Sequence, residues 1–401
     1  MKMHGRPTSE GYWPRKTLLS IVGDIERRFG WFIDNATMTQ IGNMVLAAGQ
    51  YALKTRSVLS WPLVLKIDIS PLCNLGCTVC VHRKPQGNKR LQRQKFHSRQ
   101  YMSIEQYRKI IDEVAGKTSA VSLYLLGDPL VHPDLCEFAR ITRDAGINVH
   151  ISTNFSFKLS DQRIAELANS GITHFTACVD GLSQETYELT RKGGRIDLVL
   201  SNLRRLCEYV RKNALTYPKI EVQYIKFQHN VDELKEATRL FREMGVDQVT
   251  HFWGDLNNYT DLDPGTYKIN GPNKPKILPQ CYWPYFHMTI KYNGDVMPCS
   301  NYRYGERYTQ EDTPRSFGNV FKSGVKAVWQ NMQYTQARRM VSNPESACQS
   351  EDVKDHFCYG CPVLFDTDVE KNRRNAAFYT IEEMMGSNNQ QQQSPRLGKY
   401  T

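Results

Sequence analysis

No run of apolar residues in this chain of 401 is long enough to cross a membrane, which excludes a spanning helix. The opening Met-Lys-Met-His-Gly-Arg lacks an apolar signal segment, so the eleven cysteines are not read as a secreted protein's disulfide framework. They are expected as reduced thiols in the cytoplasm, free for metal. Acidic residues are missing between Arg83 and Arg99, where Arg83, Lys84, Lys89, Arg90, Arg93, Lys95 and Arg99 supply part of the net charge of +11. Phe96 is the single Phe, Tyr or Trp there and the standard RNA-binding signatures are missing, which argues against a nucleic-acid partner. An anionic small molecule or an acidic peptide suits this loop, and a solvated insertion with no partner is the plainer reading.

What the sequence has is a cysteine loop, Cys73-Asn-Leu-Gly-Cys77-Thr-Val-Cys80. Three thiolates cover three irons of an iron–sulfur cube and leave the fourth open to a small molecule, whereas a structural cube or a zinc ion wants a fourth Cys or His nearby. His82 is the local candidate, just beyond the loop. Leu63-Val-Leu-Lys-Ile67 reads as a buried strand, so the loop leaves a strand's C-terminal end, where α/β barrels keep their chemistry.

These residues resemble the radical SAM superfamily, and the resemblance covers roughly residues 60 to 365. Gly127-Asp128-Pro129 stands where the family has Gly-Gly-Glu-Pro, the turn that binds the amino group of S-adenosylmethionine through backbone oxygens. Asn148 to Asn154, with Ser152 and Asn154, is similar to the segment facing the cofactor's ribose and carboxylate. Asp180-Gly181 and Arg191-Lys-Gly-Gly resemble the Ser-x-Asp-Gly and Ile-Arg-Gly elements, and the planar fork of Arg191 suits a carboxylate. An ordinary turn is the plain reading of Asp180-Gly181 taken alone.

A second set, Cys281, Cys299, Cys358 and Cys361, is spaced as Cys-x12-Gly-x4-Cys around Gly294 and as Cys-x2-Cys. With Phe317-Gly-Asn-Val320 and Val328-Trp329 between, it resembles the SPASM and twitch extensions. No cysteine follows Cys361, so one auxiliary [4Fe-4S] cluster is implied rather than two. Zinc is the alternative for these four in isolation. Cys348 is a further candidate donor, disfavoured by the tighter spacing of Cys358 and Cys361. Cys136, Cys178 and Cys207 lie in apolar patterns and read as core.

Apolar periodicity places two helices between Arg15 and Lys54, a cap on the barrel or else a helix for a partner or membrane surface. Strands near 63–68, 121–126, 147–152, 173–179, 219–225 and 248–253 alternate with helices near 103–114, 134–144, 160–169, 197–211 and 231–243. The expected fold is α/β, a partial (β/α)6 TIM-like barrel. Its parts are an N-terminal helical extension (1–59), the barrel (60–265), a small C-terminal twitch/SPASM-like iron–sulfur domain (266–385) and a disordered tail (386–401).

The resemblance implies a [4Fe-4S] cluster, S-adenosylmethionine and a low-potential donor such as flavodoxin or ferredoxin. It implies reductive cleavage to a 5′-deoxyadenosyl radical and hydrogen abstraction, here for two-electron oxidation of a small polar or carbohydrate-like metabolite. Asp255, after the sixth strand, is a candidate base, and a surface aspartate is its plain reading. Tyr282 and Tyr285 face substrate or pack the C-terminal core. Maturation of a ribosomally made peptide, a redox-neutral epimerisation or rearrangement, and a zinc or nucleic-acid-binding protein are the alternatives.

Overall fold

The computed structural model describes residues 33–77, 80, 100–227, 229–253, 268–269, 278–300 and 316–344, then 347, 350, 353, 356–359 and 364–366. Six parallel strands follow one another, β1 (Val64–Ile67), β2 (Ala120–Ser122), β3 (Asn148–Thr153), β4 (His174–Cys178), β5 (Lys219–Lys226) and β6 (Gln248–Trp253). After the two-residue β7 (Lys268–Ile269), β8 (His287–Ile290) and β9 (Val296–Met297) return to the same sheet. Its order is β6-β5-β4-β3-β2-β1-β8-β9, with β8 parallel to β1 and β9 antiparallel to β8. The C-terminal segment therefore extends the barrel sheet directly beside β1, and β7 pairs antiparallel with β10 (Phe365–Asp366).

Helices cover one face of this sheet for reasons written in their sequences. α2 (Ile104–Val114) starts at a Ser103/Gln106 capping box and buries Tyr107, Ile110, Ile111 and Val114, one face at helical spacing. α3 (Leu135–Asp144), α4 (Asp161–Ala168), α6 (Ile196–Lys212) and α7 (Leu234–Met244) match the expected segments within a few residues. Between α4 and α6 lies α5 (Gln184–Thr190), a helix the sequence reading does not place, nucleated by the Ser183 cap.

Strand alternation divides the side chains between two environments. Leu65, Ile67, Val121, Val149, Ile151, Phe175, Ala177, Ile220 and Val222 join the apolar core under the helices. Their neighbours Lys66, Ser122, His150, Ser152, Thr176, Cys178, Glu221 and Gln223 fall on the other face, the inside of the partial barrel.

The N-terminal cap helix α1 (Met38–Ala52) is built the other way round. Its protein-facing side carries Gln40, Asn43, Ala47 and Gln50, whereas Met38, Val45 and Leu53 are 81%, 68% and 78% exposed. Gln40 Nε2 donates to the carbonyls of Thr118 (2.8 Å) and Gly146 (3.1 Å), and Asn43 Nδ2 to Lys117 (3.0 Å) and Trp61 (3.2 Å). The other helix expected in this region lies outside the described residues. So do the basic loop 83–99 and the tail.

In the C-terminal segment α8 (Trp283–Phe286) leads into β8, and the β8–β9 turn needs Gly294, where φ is +85° and a Cβ would come within 2.4 Å of the Phe321 ring. Asn319 caps α9 (Val320–Ser323) and donates to Asp295 Oδ1 and the Asn293 carbonyl, fixing that turn. α10 (Val325–Trp329) is capped from the barrel by Glu113, whose carboxylate accepts from Val325 N (2.7 Å) and Lys326 N (2.9 Å). From α11 (Met332–Ser342), the fully buried Arg338 stacks on Trp329 and donates to the carbonyls of Trp329 (2.9 Å) and Pro284 (3.0 Å).

Candidate functional site

The first cysteine loop leaves the C-terminal end of β1 and is fastened by three neighbouring turns. Asp128 N donates to Leu72 O (2.8 Å), Lys192 O accepts from Gly76 N (3.0 Å), and Asn74 Nδ2 donates to Ser156 O (2.8 Å). The contact at Gly127 excludes any side chain, because a Cβ there would lie 2.0 Å from Ser70 O and 2.5 Å from Leu72 O. Cys73, Cys77 and Cys80 are half-buried; Cys73 feels the charge of both others and Cys77 that of Cys80. Burial pushes the Cys77 thiol up to about 11, opposed by the Arg191 guanidinium, and pushes Cys73 higher still with Asp128 adding to it.

Among the described residues no three His, Cys, Asp or Glu converge as ligands of a single metal ion. A cube takes its thiolates at separate corners, and the charges of Cys77 and Cys80 both reach Cys73, so the loop brings three thiols to one place.

Two buried carboxylates organise the turns above the loop. Asp128 accepts from Thr153 Oγ1 (2.9 Å), Asn154 N (2.8 Å), Asn154 Nδ2 (2.7 Å) and Leu130 N (3.0 Å), yet burial raises its carboxyl to about 6. It thereby locks the end of β3 against the Gly127-Asp128-Pro129 turn. Asp180 accepts from Arg191 Nε (2.5 Å) and Ile225 N (2.8 Å). Arg191 thus arrives already paired, its fork held at Cys77 by a carboxylate that is 2% exposed. Ser152 points inward, with Oγ 3.3 Å from Cys178 Sγ. Cys136 and Cys207 are core residues as expected, but Cys178 is buried outside the apolar cluster, on the inner face between Ser152 and Gln223.

Below these turns the inner face of the strands is polar and connected. His150 joins Ser122 Oγ (3.2 Å, Nδ1) to Thr176 Oγ1 (3.0 Å, Nε2), and Glu221 accepts from Thr176 (3.2 Å) and from Thr250. Burial drives His150 down to about 3, so the ring is neutral. Lys66 places its ammonium 4.3 Å from the centroid of the Tyr124 ring, and burial lowers it to about 8. The sequence reading passed over Lys66, although a lysine inside an apolar strand was the visible signal.

Of the second set, Cys281 and Cys299 are half-buried and Cys358 is buried. Cys299 and Cys358 both act on the buried Tyr334, and Cys299 also on Lys66, so this set borders the inner face of β1. Tyr285 packs the core, donating to Thr55 O (3.0 Å), whereas Tyr282 stacks beside Trp283 and is 41% exposed. Asp255, His82, Cys348 and Cys361 lie outside the described residues. Among the described residues no helix is long and apolar enough to cross a membrane.

Residues 67–221 match the family model described as the radical SAM superfamily, and residues 281–362 match that of the SPASM iron–sulfur cluster-binding domain. The chain is 23% identical over 347 residues to the tungsten-containing aldehyde ferredoxin oxidoreductase cofactor-modifying protein of Pyrococcus furiosus, covering 76% of this chain and 90% of that protein. It is 24% identical over 190 residues to the AdoMet-dependent heme synthase of Methanosarcina barkeri, covering 46% of this chain and 48% of that protein. Among solved structures, SuiB of Streptococcus suis bound to S-adenosylmethionine superposes with a TM-score of 0.56 at 17% identity, covering 86% of this chain and 83% of that one. SuiB bound to its precursor peptide SuiA gives 0.55 at 16%, covering 80% and 76%.

Proposed function

From a chain that belongs to the radical SAM superfamily and carries a SPASM-type iron–sulfur domain, we propose an enzyme that oxidises a small polar substrate by two electrons. The two domains imply a [4Fe-4S] cluster with S-adenosylmethionine and auxiliary iron–sulfur at the C-terminal set. Cys73, Cys77 and Cys80 would hold the cluster, which with S-adenosylmethionine and one electron from a low-potential donor would supply the radical chemistry that removes a hydrogen atom from the substrate.

The chain's own part is to hold and to orient. The Gly127-Asp128-Pro129 turn, Ser152, Asn154 and Arg191 surround the cofactor, with Asp128 fixing the backbone of Asn154 and Asp180 the guanidinium of Arg191. The barrel wall holds the substrate and excludes water, which keeps the reacting carbons adjacent. Oxidation leaves one proton and one electron on the substrate to be removed. Asp255 is proposed for the proton, and the site of Cys281, Cys299, Cys358 and Cys361 for the electron.

The observation carrying this reading is that Cys299 acts on Lys66, a residue of the barrel's inner face, so the second cysteine set borders the space where a substrate would lie. A small substrate also agrees with the Pyrococcus furiosus relative, named for modifying a cofactor. A peptide substrate has only likeness of fold to SuiB behind it.

Anaerobically reconstituted protein should hold about eight irons, and replacing Cys73, Cys77 and Cys80 by Ala should leave about half. A Cys358→Ala, Cys361→Ala variant should still form 5′-deoxyadenosine carrying deuterium from labelled substrate, yet yield little oxidised product. Full product yield from that folded variant would make the second site structural and move the reaction to a redox-neutral class.

A further inference from the structure

Two polar groups on the inner face of the barrel have no hydrogen-bond partner among the described residues. Lys66 is half-buried and turns its ammonium onto the face of Tyr124. Asp68, two residues on, and Cys299 act on its charge, but among the described residues no carboxylate lies within ion-pair distance of it. Directly across the sheet, in register with Lys66, stands Thr289 of β8. Its hydroxyl is fully buried and has no hydrogen-bond partner. Met288 and Ile290 on either side enter the apolar core, so Thr289 faces inward as Lys66 does.

Leaving a buried hydroxyl unsatisfied costs about 1 to 3 kcal/mol, and a half-buried ammonium without an acceptor keeps its hydrogen-bonding capacity for a ligand. Two such groups, carried in register by strands about 5 Å apart, are the two halves of a receptor for an anion. Asp68 is the one carboxylate that acts on Lys66, and the histidine and glutamate of the neighbouring strands do not compete. His150 is neutral with both nitrogens committed to Ser122 and Thr176, and Glu221, two strands beyond it, is bound by Thr176 and Thr250.

We propose that Lys66 and Thr289 form the substrate-anchoring site of the barrel, taking a carboxylate or phosphate group and so selecting an anionic substrate. This rests on the reading that the inner face of the barrel holds the substrate. Lys66 supplies a compact charge, Thr289 a donated hydroxyl hydrogen, and Tyr124 walls one side so that the anion approaches from the barrel axis. An anion held there binds beside the SPASM-side strand, near Cys299, which fixes which end of the substrate faces the second cysteine set.

Calorimetry on the full reconstituted protein with S-adenosylmethionine bound tests this at constant ionic strength, with inorganic phosphate and malonate as separate probes. At least one should bind to wild type at millimolar concentration, and the stronger identifies the group. Lys66→Met, close in volume and free of charge, should weaken it about tenfold or more, and Thr289→Val about threefold to tenfold, with S-adenosylmethionine affinity unchanged in both. Lys66→Arg should recover most of the binding. Equal anion affinity in wild type and Lys66→Met, or no binding of either probe, overturns the proposal. Loss of S-adenosylmethionine affinity in Lys66→Met also overturns it, by giving the ammonium to the cofactor. These readouts need no turnover, so an oxidation reading that fails in the product assay leaves them standing.

Discussion

The two cysteine regions are held by different means. The loop of Cys73, Cys77 and Cys80 is tied through backbone groups to turns that leave β2, β3 and the α5 end, with buried carboxylates as the knots. The C-terminal set hangs on a hairpin and three short helices whose common centre is one buried guanidinium stacked among Trp329, Tyr334 and Tyr285. A loop anchored to a parallel sheet inherits the precision of the sheet. A site built on side-chain packing depends on a few large contacts, and one substitution reaches all of them.

The sharpest way to break the contrast is Arg338→Ala. It empties a large cavity and strips donors from the Trp329 and Pro284 carbonyls, so it should cost about 3 to 5 kcal/mol in chemical denaturation. Iron should be lost from the C-terminal set first, leaving the spectrum of the barrel cluster in place. Simultaneous loss of both would mean that the two regions stand or fall together.

Gly127→Ala attacks the other region through its backbone. With a Cβ meeting two carbonyl oxygens, the turn must retreat from the cysteine loop, a strain of about 3 kcal/mol. Binding of S-adenosylmethionine should weaken while the iron held by the C-terminal set persists, which equilibrium dialysis and iron analysis would check.

The smallest effect is a slope. Because burial raises Asp128 to about 6, the folded chain keeps a proton there that the unfolded chain releases from about pH 4 upward, so this group's contribution to stability falls as pH rises through that window. Urea denaturation of metal-free wild type should show on the order of 2 kcal/mol of such loss between pH 4 and pH 7 that Asp128→Asn lacks. Identical slopes would mean that its four hydrogen bonds outweigh the burial.

Much of this was legible in the sequence, and what was not has a physical explanation. Strand positions, the helix periodicities and the cysteine spacing follow local rules, and the sheet confirms them from β1 to β6. The inward direction of Cys178 and Lys66 depends on the parity of a strand within the sheet. An apolar neighbourhood in sequence does not reveal it, since adjacent residues of a strand face opposite environments. Arg338 was invisible because its partners are carbonyls and rings from distant turns. The placement of β8 beside β1 depends on a pairing across more than two hundred residues that no local pattern encodes.

The reversed cap helix has a thermodynamic consequence. α1 is held by amide side chains gripping carbonyls and by a small apolar patch in which Met44 and Ala47 cover Leu63, Val64 and Ala120 and Tyr51 packs on Tyr285 and Phe286. Lifting it away exposes only that patch, so its release carries a smaller heat-capacity change and a shallower dependence on denaturant than unfolding of the barrel. Its amides should exchange hydrogen through openings that leave the barrel closed, with a weaker urea dependence than those of β3 and β4, which exchange only when the whole sheet comes apart.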